Sequence, residues 1–313
     1  MSASFTFLSD LPLYQTEKPY TVYGQAPPQL RPSNCEFTTV AGITVENIRG
    51  KEQEFSLSRD GFQYILAPSA LSPEISDFLH QDALSEKAKA YLTETTSIAK
   101  KFLIAEKAIC FDWRIRSSAS DLIAGESILR GSRSDSLAPA TIVHSGWHFL
   151  AKEHHAIIKT FLTVSIDYSF EGGLERMRRQ LSQEEISLFN FKDYQVRIVN
   201  IWRPLVDVVR SSPLAFCHPA TVSPDSVLEE DKVHPDHWEE GLFLLYRPSQ
   251  KWYWLSLQSK DEIAIFRTWD SDSPTALTCP PHASFSLPGE DSIYNTRKSI
   301  EVRILVFSKR ENA

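Results

Sequence analysis

Nine histidines occur in the chain, and His282 has the most informative surroundings. It opens the run PPHASF at the head of a β-like stretch, and Arg297-Lys298-Ser299 opens the next such stretch fifteen residues on. An imidazole suits iron, and a guanidinium grips a carboxylate through two parallel charge-assisted hydrogen bonds. Set one strand apart, they describe a metal ligand beside an arginine and a serine able to hold an oxo-acid. Spacing alone is a weak signal for this. His154-His155 and His234-x-x-His237 also have ligand-like spacings. The first pair falls in a helix-like stretch and the second in an acidic loop with a proline, so both read as structural. No G-x-S-x-G motif supports a serine hydrolase, and neither common phosphate-binding glycine loop is present.

The elements that must position these residues are legible from their periods. Leu84, Ala88, Tyr91, Leu92, Ala99, Phe102 and Leu103 recur at helical spacing, which predicts an amphipathic packing helix over 84–103. Ser72-Pro73-Glu74 supplies a capping serine, a first-turn proline and an acid for the helix dipole, so a short helix is predicted to start there. Residues 172–190 are charged and helical in propensity. After them the period falls to two: 196–202, 242–246, 251–257, 262–268, 283–287 and 299–307 are short β-branched or aromatic runs separated by Pro, Gly, Ser and Asp. In the last run Ile300, Val302 and Ile304 face one side and Glu301 and Arg303 the other, the mark of a half-buried strand. Helices followed by many short strands predict a β-rich α+β protein, a sandwich or jelly roll with flanking helices. Residues 1–40, with five prolines, read as an extended N-terminal arm, and 41–313 as a single domain.

The whole chain bounds the function. Its 313 residues are 42% hydrophobic and 23% charged, with seven Trp and eighteen Phe, enough for a large core. The net charge of −7 and the lack of long Lys/Arg runs argue against nucleic acid as a partner. Four widely spaced cysteines read as reduced thiols. Neither a signal sequence nor a membrane span is predicted, and a cytoplasmic location is expected.

The stretches GITVENIRGKEQEFSLSRDGFQYI, FDWRIRS, DYSFEGGLERMRRQL, RIVNIWRPLVDVVRSSPLAFC, WYWLSLQSKDEIAIFRTWDSDS, PHASF and RKSIEVRILVF run in order from about residue 42 to 307. Together they resemble the fungal AsaB-type hydroxylase/desaturase family, which is gibberellin-desaturase-like and CmcJ-like and lies within the iron/2-oxoglutarate-dependent oxygenase superfamily. The NIWRPL, DEIAIF and SIEVR blocks taken jointly are specific. The resemblance implies a double-stranded β-helix (jelly roll), Fe(II) and 2-oxoglutarate as cofactors, dioxygen and a small secondary metabolite as substrates, and hydroxylation or desaturation as the reaction. It makes His282 the distal iron ligand and Arg297 with Ser299 the 2-oxoglutarate clamp.

The resemblance also implies an H-x-D pair before the S-x-x-G of DYSFEGG. Asp167 matches its carboxylate, yet Ser165 stands where the histidine belongs. Residues at i and i+2 share one face of a strand, so both could reach one metal; serine is a poor iron ligand. Residues 145–165 could loop out and bring His144 back as the displaced ligand. Alternatively those twenty-one residues are an insertion, whose removal joins ATIVH to IDYSFEGG and restores VHIDYS. The clean restoration favours the insertion. The carboxylate is kept, so halogenation is not implied. A catalytically silent relative that binds a small molecule or a partner is the alternative reading. Arg203 and Asp270-Ser271 read as either buried support or substrate contacts, and Trp252, Tyr253 and Trp254 as core or pocket lining.

Overall fold

The structure, a computed structural model, describes residues 1–23, 28–78, 84–118, 165–235, 237–273, 275–287 and 296–311. The described strands are β1 (Ser2–Leu8), β2 (Tyr20–Val22), β3 (Phe37–Asn47), β4 (Phe62–Leu66), β5 (Lys107–Ser117), β6 (Ser165–Ile166), β7 (Tyr194–Pro204), β8 (Leu214–Cys217), β9 (Val227–Val233), β10 (Trp238–Leu244), β11 (Trp252–Trp254), β12 (Glu262–Asp270), β13 (His282–Ser284) and β14 (Lys298–Lys309). They form a nine-stranded sheet, β1-β3-β11-β8-β13-β6-β10-β9-β2, and a five-stranded sheet, β4-β12-β7-β14-β5. The two make a double-stranded β-helix, as the strand-rich C-terminal half predicts. The N-terminal stretch supplies both edges of the large sheet, β1 against β3 and β2 against β9.

The helices flank this roll: α1 (Leu57–Asp60), α2 (Glu86–Phe102), α3 (Phe170–Gln180) and α4 (Gln183–Leu188). Ser85 caps α2 by accepting from the Ala88 N–H, Glu86 lies in its first turn and Lys100 and Lys101 in its last, each charge favourable to the dipole. Its buried stripe of Ala88, Tyr91, Leu92 and Ala99 packs on Val199, Ile201, Ile263, Ile265, Ile300, Val302 and Ile304, the outer face of the small sheet. The helical stretch after residue 170 is split in two because Ser182 and Glu185 form a reciprocal capping box that starts α4.

Two expectations are corrected. The segment after Ser72 forms one 3-10 turn, Ile75–Phe78, in place of a helix starting at Ser72. Ser72 itself has a φ of 42°, and Asp77 accepts from the Glu74 N–H. The polar face of the last strand does not meet solvent: Glu301 and Arg303 are buried inside the roll, while Ile300, Val302 and Ile304 lie under α2. In β14 it is the charged face that turns inward. Residues 144 and 154–155 lie outside the described residues.

Two glycines set how closely α3 sits on the sheets. Ser169 caps α3 through the Gly172 N–H at 3.0 Å. A Cβ on Gly172 would stand 2.1 Å from the Glu240 carbonyl oxygen, and one on Gly173 would stand 2.1 Å from the Trp269 ring. Gly172→Ala must push backbone from backbone, and a loss of about 1–3 kcal/mol is expected. It would be read from the urea midpoint; an unchanged midpoint would mean that α3 is not seated this closely.

Candidate active site

Asp167 leaves the end of β6 into the interior of the roll, only 1% exposed. Its Oδ2 accepts from Asn200 Nδ2 at 2.8 Å, and Arg303 Nη2 lies 3.7 Å from Oδ1. Burial raises the pKa of such a carboxyl, but Arg303, His282 and Asn200 outweigh it and hold Asp167 below its ordinary value. The group is therefore ionised, as a metal ligand must be. His282 opens β13, with its ring against Phe266 at 4.7 Å between centroids. Its Nδ1 sits 3.2 Å from the Pro280 carbonyl oxygen. With Nδ1–H donating there, the lone pair is on Nε2, the tautomer that binds metal through Nε2.

Asp167, His282, Arg297, Arg116, Glu301 and Arg303 line one cavity. Arg297, at the head of β14, is 2% exposed; its Nη1 donates to Ser299 Oγ at 3.2 Å, and its guanidinium lies 5.6 Å from the Trp202 ring centroid. Its Nε and Nη2 are buried with no hydrogen-bond partner among the described residues. Burial and the neighbouring Arg116 push its pKa down to about 9, against the pull of Glu301. Burial likewise lowers Arg116 to about 10. A guanidinium stays charged at neutral pH even so. Among the lining residues the guanidiniums of Arg116, Arg297 and Arg303 stand beside the carboxylates of Asp167 and Glu301. A carboxylate at Arg297 answers the orphaned N–H groups.

By donor chemistry, then, an iron ion fits between an ionised carboxylate and an imidazole with an open Nε2, and an oxo-acid fits at Arg297 and Ser299. In the large sheet Ser165 pairs directly with His282 across β6 and β13, and stands two residues before Asp167. His144 lies outside the described residues.

The other residues singled out from the sequence sit elsewhere. Arg203 is buried, but as a strut: Nε donates to the Tyr91 hydroxyl at 3.0 Å and Nη1 to the Lys260 carbonyl at 2.7 Å. Trp252 pairs with Cys217, on the sheet face opposite Phe216 and His282, and stacks on Phe5 at 4.3 Å. Tyr253 is on the His282 side, yet packs on Phe55 and Phe62. Asp270 accepts from Gln195 and Arg267, and Ser271 from the Val196 N–H, in a turn. The sequence reading missed Asn200, Glu301, Arg303 and Arg116 as site residues. For the three charged residues the signal was charge at alternate positions of otherwise apolar strands, RIRS in β5 and SIEVR in β14.

Comparison with known proteins extends this geometry. The family model described as YDMC: Oxidoreductase/YMDC permease-like domain matches residues 5–307. The chain is 25% identical over 280 residues to the Fe(II)/2-oxoglutarate-dependent dioxygenase nvfI of Aspergillus novofumigatus (strain IBT 16806), covering 86% of this chain and 84% of the relative. It is 32% identical over 124 residues to hydroxylase/desaturase asaB of Aspergillus flavus, covering 35% of this chain and 54% of that one. Its fold is that of the solved iron and alpha-ketoglutarate-dependent endoperoxidase NvfI: TM-score 0.75 at 21% identity, over 99% of this chain and 98% of that one.

Arg303 is the cation on which the cavity's carboxylates converge, with Nε 3.1 Å from Glu301 and Nη1 3.3 Å from Asp112. Arg303→Met would leave these acids buried with less compensation. A loss of about 3–5 kcal/mol is expected, measured by chemical denaturation. A loss below about 1 kcal/mol, the scale of an exposed pair, would contradict the burial described.

Proposed function

The chain belongs to the oxidoreductase/YMDC permease-like domain family, and from its likeness to the dioxygenase nvfI and the hydroxylase/desaturase asaB we infer that it is an iron(II)- and 2-oxoglutarate-dependent oxygenase that hydroxylates or desaturates a small secondary metabolite. The observation that carries the reading is Arg297: its buried N–H groups lack partners and line the same cavity as Asp167 and His282. In this reading Asp167 and His282 hold iron, with His144 as the third ligand, and Arg297 with Ser299 binds the far carboxylate of 2-oxoglutarate. Bound iron and 2-oxoglutarate supply, from dioxygen, the oxidising equivalents for attack on a C–H bond. The chain's own part is positioning. Asn200 and Arg303 fix the Asp167 carboxylate, Pro280 fixes the His282 ring, and Trp202 flanks the Arg297 guanidinium.

Residues 41–313 are proposed to act as one domain, with 1–40 as its arm and 145–165 as an insertion between His144 and the carboxylate. No described helix is long and apolar enough to cross a membrane; with the four cysteines forming no disulfide, a cytoplasmic location is proposed. Dioxygen and one small molecule are the proposed substrates.

Ser165 favours a second reading, a silent relative that binds a small molecule without turnover. Iron-dependent consumption of 2-oxoglutarate by the full chain separates the two. Arg297→Ala is expected to weaken 2-oxoglutarate binding by about 2–5 kcal/mol, read by calorimetry, and unchanged affinity would remove the clamp assignment. Ser165→His, or removal of residues 145–165 so that His144 precedes Ile166, should tighten iron(II) binding by filling the seat opposite His282. If the unaltered chain already holds one iron tightly, His144→Ala abolishes it and Ser165→His does not improve it, then residues 145–165 loop out and the insertion reading fails.

A further inference from the structure

A second group of metal-ligating side chains lies outside the cavity, at the turn joining β9 to β10. His234 follows β9 and His237 precedes β10, and the His234 N–H donates to the His237 carbonyl at 2.8 Å to close the turn. The two imidazoles stack at 4.4 Å with 8° between planes, so one ring must turn out of the stack to share an ion with the other, and Tyr23 stacks on His234 at 4.7 Å. Glu239, two residues along from His237, brings Oε1 within 3.5 Å of His237 Nε2. One ligand atom from each of His234, His237 and Glu239 can be chosen so that all lie within 4.8 Å of one another.

Glu239 shows what this arrangement lacks. It is 8% exposed, and Oε1 takes Arg176 Nη2 as well as Arg179 Nη1 at 3.5 Å. Oε2 is buried with no hydrogen-bond partner among the described residues. A carboxylate oxygen left so is costly, and a cation beside it would meet the need while the arginines keep the carboxylate oriented through Oε1. Burial works against ionisation, but Arg176, Lys232 and both histidines hold the Glu239 pKa below its ordinary value. Two imidazoles with one carboxylate suit zinc(II), whereas calcium and magnesium take oxygen ligands.

We propose that His234, His237 and Glu239 bind one zinc(II) ion, with water as the fourth ligand. The ion ties the β9–β10 turn to α3 through Arg176 and to the N-terminal segment through Tyr23, so it acts as a staple at the edge of the large sheet. The proposal does not depend on the oxygenase reading.

The test is zinc chloride titration of the chelator-treated full-length protein by calorimetry, with metal analysis after gel filtration, in four chains: unaltered, His282→Ala, His237→Ala and Glu239→Gln. One zinc equivalent is expected in His282→Ala, and the same one in the unaltered chain with at most one more in the cavity. Affinity should fall by more than about tenfold in His237→Ala and in Glu239→Gln. His237 is half-buried in a turn and Glu239→Gln is nearly isosteric, so both should keep the native circular dichroism. Absence of zinc from the unaltered chain at 100 μM (roughly −5.5 kcal/mol) overturns the proposal. So does binding unchanged in both turn variants, or binding lost only in His282→Ala, which would place the ion in the cavity.

Discussion

The interior of the roll depends on one guanidinium. Arg303 reaches Asp167, Glu301 and Asp112 at once, and Asn200 bridges Asp167 and Glu301 from the neighbouring strand. Buried ions are tolerable only when their lone pairs and protons are met with good geometry. The pairing of β14 with β7 in register, Arg303 opposite Asn200, supplies that geometry. The same network keeps Asp167 ionised and fixes its direction.

The layers around the network follow from it. A strand whose inner face carries Ser299, Glu301 and Arg303 cannot rely on that face for apolar burial. Its stabilisation comes from the outer face, where Ile300, Val302 and Ile304 meet the stripe of α2. At one end of the interior Phe62, Phe216 and Phe266 close the space between the sheets. At the other Leu305, Phe307 and Trp269 pack with α3 and α4. Among the described residues the polar centre is a short band between two apolar clusters, and there Arg297 keeps two buried N–H groups with no hydrogen-bond partner.

The row Ser165, His282, Phe216 crosses three paired strands. It explains why a single residue matters so much for iron. A one-residue slip of β6 would turn position 165 to the far side of the sheet, so the seat opposite His282 can be filled only by substitution there or by a change in the length of the chain before it. The described chain places a serine directly opposite His282.

Much of the architecture was written in periodicity. The 3.6-residue stripe marked α2, the alternation marked the late strands, and the ordered blocks from 42 to 307 pointed to His282, Arg297, Ser299 and Asp167 as site residues. Local patterns report which face of an element is apolar, because that is a property of neighbours along the chain. They do not report which face of a sheet is inside a roll, because that depends on what covers the other side. For this reason Glu301 and Arg303 read as a solvent face, Arg203 and Trp252 stayed open between core and pocket, and Ser72 read as a cap. The sequence by itself determined α2, the late strands and the chemistry available to them; only tertiary structure decided that the charged face of β14 turns inward. It decided so because α2 buries the other face, and a buried charge must then find its partners across strands distant in sequence.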